Sequence, residues 1–417
     1  MGNLDYTQVL NKIENTRRFG NEPGVVVTAQ VIKVLREKGK QKRIIPYIHV
    51  AGTNGKGSVC AFFSSILKKE HMRVGTFVSP HLVDFEERIT VDGRMIAKED
   101  VTRLGNYLLD IDFGIGLTMF DYCLAMALLY FEEQQCDYMV IETGLGGRLD
   151  STNAIGTPQC AVITKIGYDH MAILGSDIAD IAAEKAGIIK ENSTVVVEQQ
   201  DKRAMQVIEQ EAQKKHARII TVEQSDIARC SGYALRLCGT FQWENAAAAE
   251  LAARYVLGMH YSGQEYEMQY DKTGPKSEKT DLNDRIKSAL EEAVWPGRME
   301  IVSKEPFLLV DGAHNSNGVD ALRESLMQMY PGEKFCFFMG VMADKDYDVM
   351  IREILSLAEE FYTVTPDSDR ALQASHLADF IRKEGVEATE LSGVDEIRKH
   401  LKRDTKNVAF GSLYFIG

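Results

Sequence analysis

An apolar run, Ile44-Ile45-Pro46-Tyr47-Ile48, leads into HVAGTNGKGS at residues 49–58, and the amphipathic stretch Val59–Lys68 follows at once. That order predicts a strand, a glycine-rich turn and a helix, the repeating unit of a parallel α/β sheet. Gly52, Gly55 and Gly57 permit a tight turn with its N–H groups facing inward. The helix beginning near Lys56 aims its positive end at the same point. Lys56 adds a full positive charge, and the Ser58 hydroxyl can hold a magnesium ion. The stretch is built as a cradle for a nucleoside triphosphate, with Asn54, Gly55, Lys56, Gly57 and Ser58 as its contacts. It departs from the strict Walker A pattern: Gly57 separates Lys56 from Ser58, and Val50 stands where the first glycine belongs. The plain alternative is a glycine turn without a ligand, and so many glycines beside a lysine and a serine speak against it.

At 417 residues the chain is too long for one ordinary core, which predicts two domains. Hydrophobic and charged fractions of 45% and 26% are those of a soluble globular protein. The longest apolar run, Cys123–Phe131, is too short to cross a bilayer, and MGNLDYTQ has no basic-then-apolar leader. Seven scattered cysteines, never spaced as CxxC, predict reduced thiols in a cytoplasm and no zinc site. A net charge of −13 disfavours nucleic acid and anionic membranes as partners. An acidic phosphate binder must concentrate its cations locally, and Lys56, Arg148, Lys185 and Arg298 lie in motif-like stretches.

From residue 44 to about 200 strand-like runs alternate with helical patterns. The expected strands are Ile44–Val50, Val74–Val78, Tyr138–Glu142, Cys160–Thr164 and Thr194–Val197, with helices over Val59–Glu70, Phe120–Gln134 and Ile178–Ile188. The fold class is therefore α/β: a P-loop-containing, mainly parallel sheet domain over residues 1–296, followed by a smaller Rossmann-like α/β domain over 297–417. Phe307–Val310, Phe335–Met339, Phe361–Val364 and Val408–Phe410 are the expected strands of the second. Residues 261–285 are polar and nearly free of branched aliphatics, and read as an exposed excursion before the hinge.

Ligands of such sheets bind beyond the carboxyl ends of the strands, where the unusual residues of this chain gather. Glu142 ends a strand and is followed by a glycine-rich turn, then Arg148 and Asp150, which puts opposite charges in the cleft. Magnesium prefers carboxylate and hydroxyl oxygens, so Glu142 and Ser58 suit it. His170 closes TKIGYDH, and alone it reads as a structural histidine. Lys185 in EKAGI reads as part of a solvated helix face, and Phe120 and Asp121 as a staple and a first-turn carboxylate. In WPGR, Arg298 is a hinge arginine able to neutralise a transferring phosphoryl group. Asp311, at a strand end, suits a ribose hydroxyl, and His314 suits a base or ribose face.

GTNGKGS, SPHL with its following ERI, ETGLGGRLDSTN and EKAGI together resemble the folylpolyglutamate synthase/dihydrofolate synthase family of the Mur ligase superfamily, over residues 17–417. The resemblance implies that Ser79 joins Ser58 and Glu142 at a magnesium site, and that His170 binds a second metal ion beside Glu142. It implies a carbamate on Lys185, sensible only if burial or a neighbouring charge keeps that amine neutral part of the time. LTMFD, where the family has LTxFE, would line a pterin pocket with Phe120 and Asp121, next to Arg148 and Asp150. Asn245 would contact adenosine within GTFQWENA, where Phe241 replaces the family's histidine.

The implied activity is ATP-dependent addition of L-glutamate to a folate or dihydropteroate carboxylate through an acyl phosphate, by a monomeric cytoplasmic enzyme using ATP and Mg2+. Lys56, Lys185 and His170 would be its catalytic residues. Two rivals remain at this level. One is a Mur-type UDP-muramoyl ligase, which needs a further domain for the UDP group. The other is a P-loop switch that hydrolyses nucleotide only to change partners.

Overall fold

The computed structural model describes residues 3–16, 20–43, 45–261, 266–268 and 277–416. Ile44, the expected start of the first strand, lies outside them, as do 262–265 and 269–276 of the polar stretch. The chain divides into two bodies, Met1–Ala234 with Glu244–Ala293, and Leu235–Trp243 with Val294–Gly417.

The first body holds β1 (Tyr47–Ala51), β2 (Val74–Phe77), β3 (Ile89–Val91), β4 (Arg94–Met95), β5 (Tyr138–Glu142), β6 (Cys160–Ile163), β7 (Thr194–Val197) and β8 (Arg218–Thr221). Their order across the sheet is β4-β3-β2-β5-β1-β6-β7-β8. From β2 to β8 every pairing is parallel, while β3 and β4 add an antiparallel edge. Every residue of β1, β2, β5, β6 and β7 is buried, because helices cover both faces, and that is why these strands read as unbroken apolar runs. Phe77, Phe131 and Ile141 share a core with Val9, Ile13, Val31 and Leu35. Those last four come from the helices Tyr6–Glu14 and Gly24–Glu37, which the sequence reading left unassigned. A second core gathers Ile163, Val195, Val197, Ile181 and Ile208. β1 lies between β5 and β6, where the order of the sheet reverses, so the crevice for a ligand opens at its carboxyl end.

Part of the expected polar excursion is ordered helix. β9 (Met259–Tyr261) and β10 (Tyr266–Met268) pair antiparallel, and Ser277–Glu292 is α-helical. Leu282, Ile286, Ala289 and Leu290 are buried, a helical stripe too sparse to alter the composition of the stretch. The Ser65 hydroxyl donates to the Ala289 carbonyl at 2.6 Å, and Arg285 pairs with Glu70 at 2.7 Å.

The second body is a six-stranded sheet of β11 (Glu300–Lys304), β12 (Phe307–Asp311), β13 (Phe335–Met339), β14 (Ala358–Thr363), β15 (Ala388–Glu390) and β16 (Lys406–Phe410). Its order is β11-β12-β16-β13-β14-β15, with only β11 antiparallel. Neighbouring strand residues alternate between two cores: Leu309, Phe337, Phe361 and Phe410 in one, Val310, Phe338, Tyr362 and Ala409 in the other. The four expected strands fall on β12, β13, β14 and β16; the short or exposed edges β11 and β15 carried no comparable apolar signal.

All seven cysteines are free thiols, six of them buried and Cys238 half-buried. No helix among the described residues is long and apolar enough to cross a membrane.

Candidate active site

The loop after β1 turns sharply at Gly55, whose φ of 89° lies in the left-handed region, and the helix Lys56–Lys69 begins at the next residue. A side chain at Gly55 would strike Asn245 Oδ1, and one at Gly52 would strike Thr164 Oγ1. Asn245 is buried and therefore stands directly against the turn. The N–H groups of Thr53 and Asn54 both donate to the Lys165 carbonyl, at 2.9 and 3.2 Å. The Thr164 hydroxyl donates to the Asn54 carbonyl at 2.6 Å. Ser58 is buried within the first turn of the helix.

Charged groups converge on this loop. Lys56 Nζ lies 3.2 Å from the carbonyls of both Gly52 and Thr53, and 3.8 Å from Glu142 Oε1. Glu142 ends β5 in register with Val50 of β1, which is how the sheet delivers its carboxylate to the loop. The Ser79 N–H donates to Glu142 Oε2 at 3.3 Å, so the SPHL loop meets the same carboxylate. Lys185, read from sequence as an exposed helix cation or a modified residue, is buried, and its Nζ donates to the Gly52 carbonyl at 2.7 Å. Two lysines thus share one carbonyl oxygen. Burial first, and then the charge of Lys56, lower the Lys185 pKa to about 7, against opposing pulls from Asp169 and Asp150.

Other expected residues have local duties. His170 is exposed, takes a left-handed φ of 51° ahead of the short helix Met171–Leu174, and lies 3.9 Å from Asp169. Arg148 is exposed and its Nε donates to Glu184 at 3.1 Å. Asp150 is buried, accepts the N–H groups of Leu145 and Thr152 at 2.9 and 3.0 Å, and caps the turn Ser151–Ala154. Asp121 is buried too. It completes a capping box with Thr118 and accepts the Ser151 hydroxyl at 2.6 Å, the first-turn duty that its position also allowed. Phe120 lies over Gly144, where any side chain would collide with its ring, and packs edge-on against Phe77 with 5.4 Å between centroids.

In the second body Asp311 ends β12, and its two oxygens accept the N–H groups of Met299 and Ala313, each at 2.8 Å. Burial raises its pKa, opposed chiefly by Arg298. Arg298 lies across Gly312, where a side chain would meet its guanidinium, and His314 Nδ1 is 2.7 Å from the Gly312 carbonyl. Phe241, in the family's histidine position, packs against the core that contains Met299 and Leu309.

One buried chain escaped the sequence reading. His49, in mid-strand, has its Nε2 2.7 Å from the Thr152 hydroxyl, and that hydroxyl also contacts the Asp150 carboxylate. The carboxylate accepts from Thr152, so Thr152 accepts from His49 and the imidazole is the neutral Nε2–H tautomer. Among the described residues its Nδ1 has no hydrogen-bond partner, and burial pushes its pKa down to about 3. A histidine centred in an apolar strand was the one available signal.

Among the described residues no three His, Cys, Asp or Glu side chains are grouped to hold a metal ion. Magnesium takes one or two carboxylates and completes its shell with phosphate oxygens and water, and Glu142 is a carboxylate the structure brings to the loop.

The Mur ligase middle domain matches residues 50–253 and the Mur ligase glutamate ligase domain matches residues 297–409. Fold and loop chemistry thus define a Mur-type ligase. The dihydrofolate synthase/folylpolyglutamate synthase of Bacillus subtilis (strain 168) is 33% identical over 99% of this chain and 97% of its own length. The chain belongs to the folylpolyglutamate synthase/dihydrofolate synthase family. E. coli FolC in complex with DHPP and ADP is similar at a TM-score of 0.80 and 27% identity, over 99% of this chain and 96% of that one. A bifunctional folylpolyglutamate synthase/dihydrofolate synthase with Mn, AMPPNP and L-glutamate bound gives 0.80 and 25%, over the same shares of the two chains.

Proposed function

We propose that this chain is an ATP-dependent ligase that joins the amine of L-glutamate to the carboxylate of a pterin-bearing acid, either dihydropteroate or a reduced folate. The observation that carries this reading is the convergence of Lys56, Glu142 and Lys185 on the left-handed turn at Gly55. A carboxylate is a poor acyl donor because oxide is a poor leaving group. Its oxygen attacks the γ-phosphorus of ATP, ADP departs, and the acyl phosphate carries a good leaving group. The glutamate amine then attacks the carbonyl carbon, phosphate leaves, and the amine proton is lost to solvent.

Lys56 and the N–H groups at the helix start would hold the phosphates, and Arg298 would neutralise transferring charge. Ser58, Ser79 and Glu142 would hold a divalent cation, with His170 at a second; the cations supply charge neutralisation at the phosphates. Asn245 would face the adenosine, and Asp311 and His314 the ribose or base. Phe120, Asp121, Arg148 and Asp150 would border the pterin, with Asp121 and Asp150 setting the pocket's walls through their hydrogen bonds. Lys185 would carry a carbamate, formed when its neutral amine takes up carbon dioxide and releases a proton. Its pKa near 7 supports this, because half of the amine is then neutral near pH 7.

The test is purified protein with ATP, Mg2+ and glutamate, each pterin acid offered separately and products resolved by mass. One added glutamate, with ADP release dependent on both co-substrates, is the expected result. ADP release indifferent to either would return the chain to the class of nucleotide switches.

A further inference from the structure

Residues 198–200, Glu-Gln-Gln, follow β7 and play no part in the scheme above. All three grip the segment after β6. Glu198 Oε2 accepts the Lys165 N–H at 2.8 Å. The Gln199 carbonyl accepts Lys165 Nζ at 2.7 Å. Gln200 closes the set from both sides: its Oε1 accepts the Ile166 N–H at 2.9 Å and its Nε2 donates to the Thr164 carbonyl at 3.0 Å. The opposite side of this segment carries the nucleotide loop. Its Lys165 carbonyl receives the N–H groups of Thr53 and Asn54, and Thr53 exchanges two 3.0 Å hydrogen bonds with Gly167. Hydrogen bonds therefore run without a gap from β7, through Thr164–Gly167, to the backbone that would face the phosphates.

We propose that Glu198 and Gln200 are positioning residues for the nucleotide, fixing Thr164–Gly167 as the platform on which Thr53 and Asn54 rest. The inference rests on the reading of residues 52–58 as a nucleotide site. Glu198 is 1% exposed, too buried to serve as a solvent-facing strand-end carboxylate. Burial, and then the charge of Glu244, hold its pKa well above the usual carboxylate range, so what the platform uses is an acceptor oxygen and not a charge. That makes an amide an adequate substitute and a hydrocarbon an inadequate one. Gln199 supplies the control, because its side chain contacts Gln224 while only its backbone touches the platform.

ADP dissociation constants, KM for ATP and for glutamate, and thermal melts are measured for the parent, Glu198→Leu, Glu198→Gln, Gln200→Ala and Gln199→Ala. Glu198→Leu and Gln200→Ala should each weaken ADP binding and raise KM for ATP about tenfold, the usual result of orphaning one buried N–H. KM for glutamate should not move, Glu198→Gln should bind ADP like the parent, and so should Gln199→Ala. If Glu198→Leu melts earlier yet binds ADP normally, the residue is merely structural and the proposal falls. Equal damage in Glu198→Gln and Glu198→Leu overturns it as well. Gln200 is half-buried, so Gln200→Ala decides the matter even if Glu198→Leu does not fold. A parent protein that binds no ADP overturns the nucleotide reading itself, whereas normal binding by parent and variants alike overturns only the platform.

Discussion

Glu142 and Asp311 occupy matching places, each the last residue of a parallel strand in its own sheet, yet their surroundings differ. Asp311 accepts two backbone N–H groups at 2.8 Å and so holds Met299, whose φ of 46° is strained for a side-chain-bearing residue, in its turn. Glu142 meets a backbone N–H at 3.3 Å and an ammonium at 3.8 Å. A divalent cation bound with a triphosphate would take the place of that ammonium beside Glu142. A strand-end carboxylate is thus not functional by position alone. Asp311 braces a backbone turn through two short N–H donors, whereas Glu142 stands beside a lysine ammonium, and the variants below test what that difference does.

The sharpest break of this contrast lies at Lys56. Lys56→Ala should cut glutamate incorporation by about a thousandfold or more, the scale of losing a phosphate-stabilising cation. Its circular dichroism should match the parent, because Gly55 and its neighbours shape the turn. Near-normal incorporation would remove Lys56 from the phosphates.

Lys185→Ala should be nearly as inactive, with partial recovery in short carboxylic acids that stand in for the carbamate. Carbon-13 NMR in labelled bicarbonate should show a carbamate that grows as pH rises through about 7, because only the neutral amine reacts. A fully active sample with no such resonance would leave Lys185 as a plain buried amine.

The pair itself comes next. Glu142→Gln should raise the magnesium requirement about 10- to 100-fold with little change in melting temperature. Asp311→Ala should instead destabilise its body by about 1–3 kcal/mol, the cost of orphaned donors. Reversed results, a large melting shift at Glu142 and none at Asp311, would invert the distinction drawn between them.

Gauged per pH unit, the gentlest effect concerns His49. Its folded pKa of about 3 lies below the ordinary 6.5, so its contribution is complete above pH 6.5 and is lost as pH falls toward 3. The parent should therefore lose stability with acid more steeply than His49→Gln, by at most about 1.4 kcal/mol per pH unit. Equal slopes in paired acid melts would show that His49 is not held neutral.

What the sequence disclosed follows the range of the interactions involved. The glycine loop, the buried strands and the strand-end acids are local patterns, and the structure places them within about three residues of expectation. Both antiparallel edges were invisible because β4 is two residues long and β11 is largely exposed. The helix over 277–292 was hidden by its polar surface. From its local pattern alone Lys185 reads as solvated, and only the family resemblance implied burial, because the Gly52 carbonyl it meets is far away in sequence. The same holds for the pairing of His49 with Thr152 and of Glu198 with Lys165, which only the closed sheet creates.

The buried cysteines have a practical consequence. Alkylating reagents need a thiolate within reach, and Cys60, Cys123, Cys136, Cys160, Cys230 and Cys336 offer neither in the closed molecule, since burial raises each pKa as well as blocking access. Their labelling becomes a clock for opening. Five of them report on the first body and Cys336 on the second. Peptide masses after a timed pulse of iodoacetamide would record whether the two bodies unlock together or one before the other, with half-buried Cys238 as the early-labelling reference.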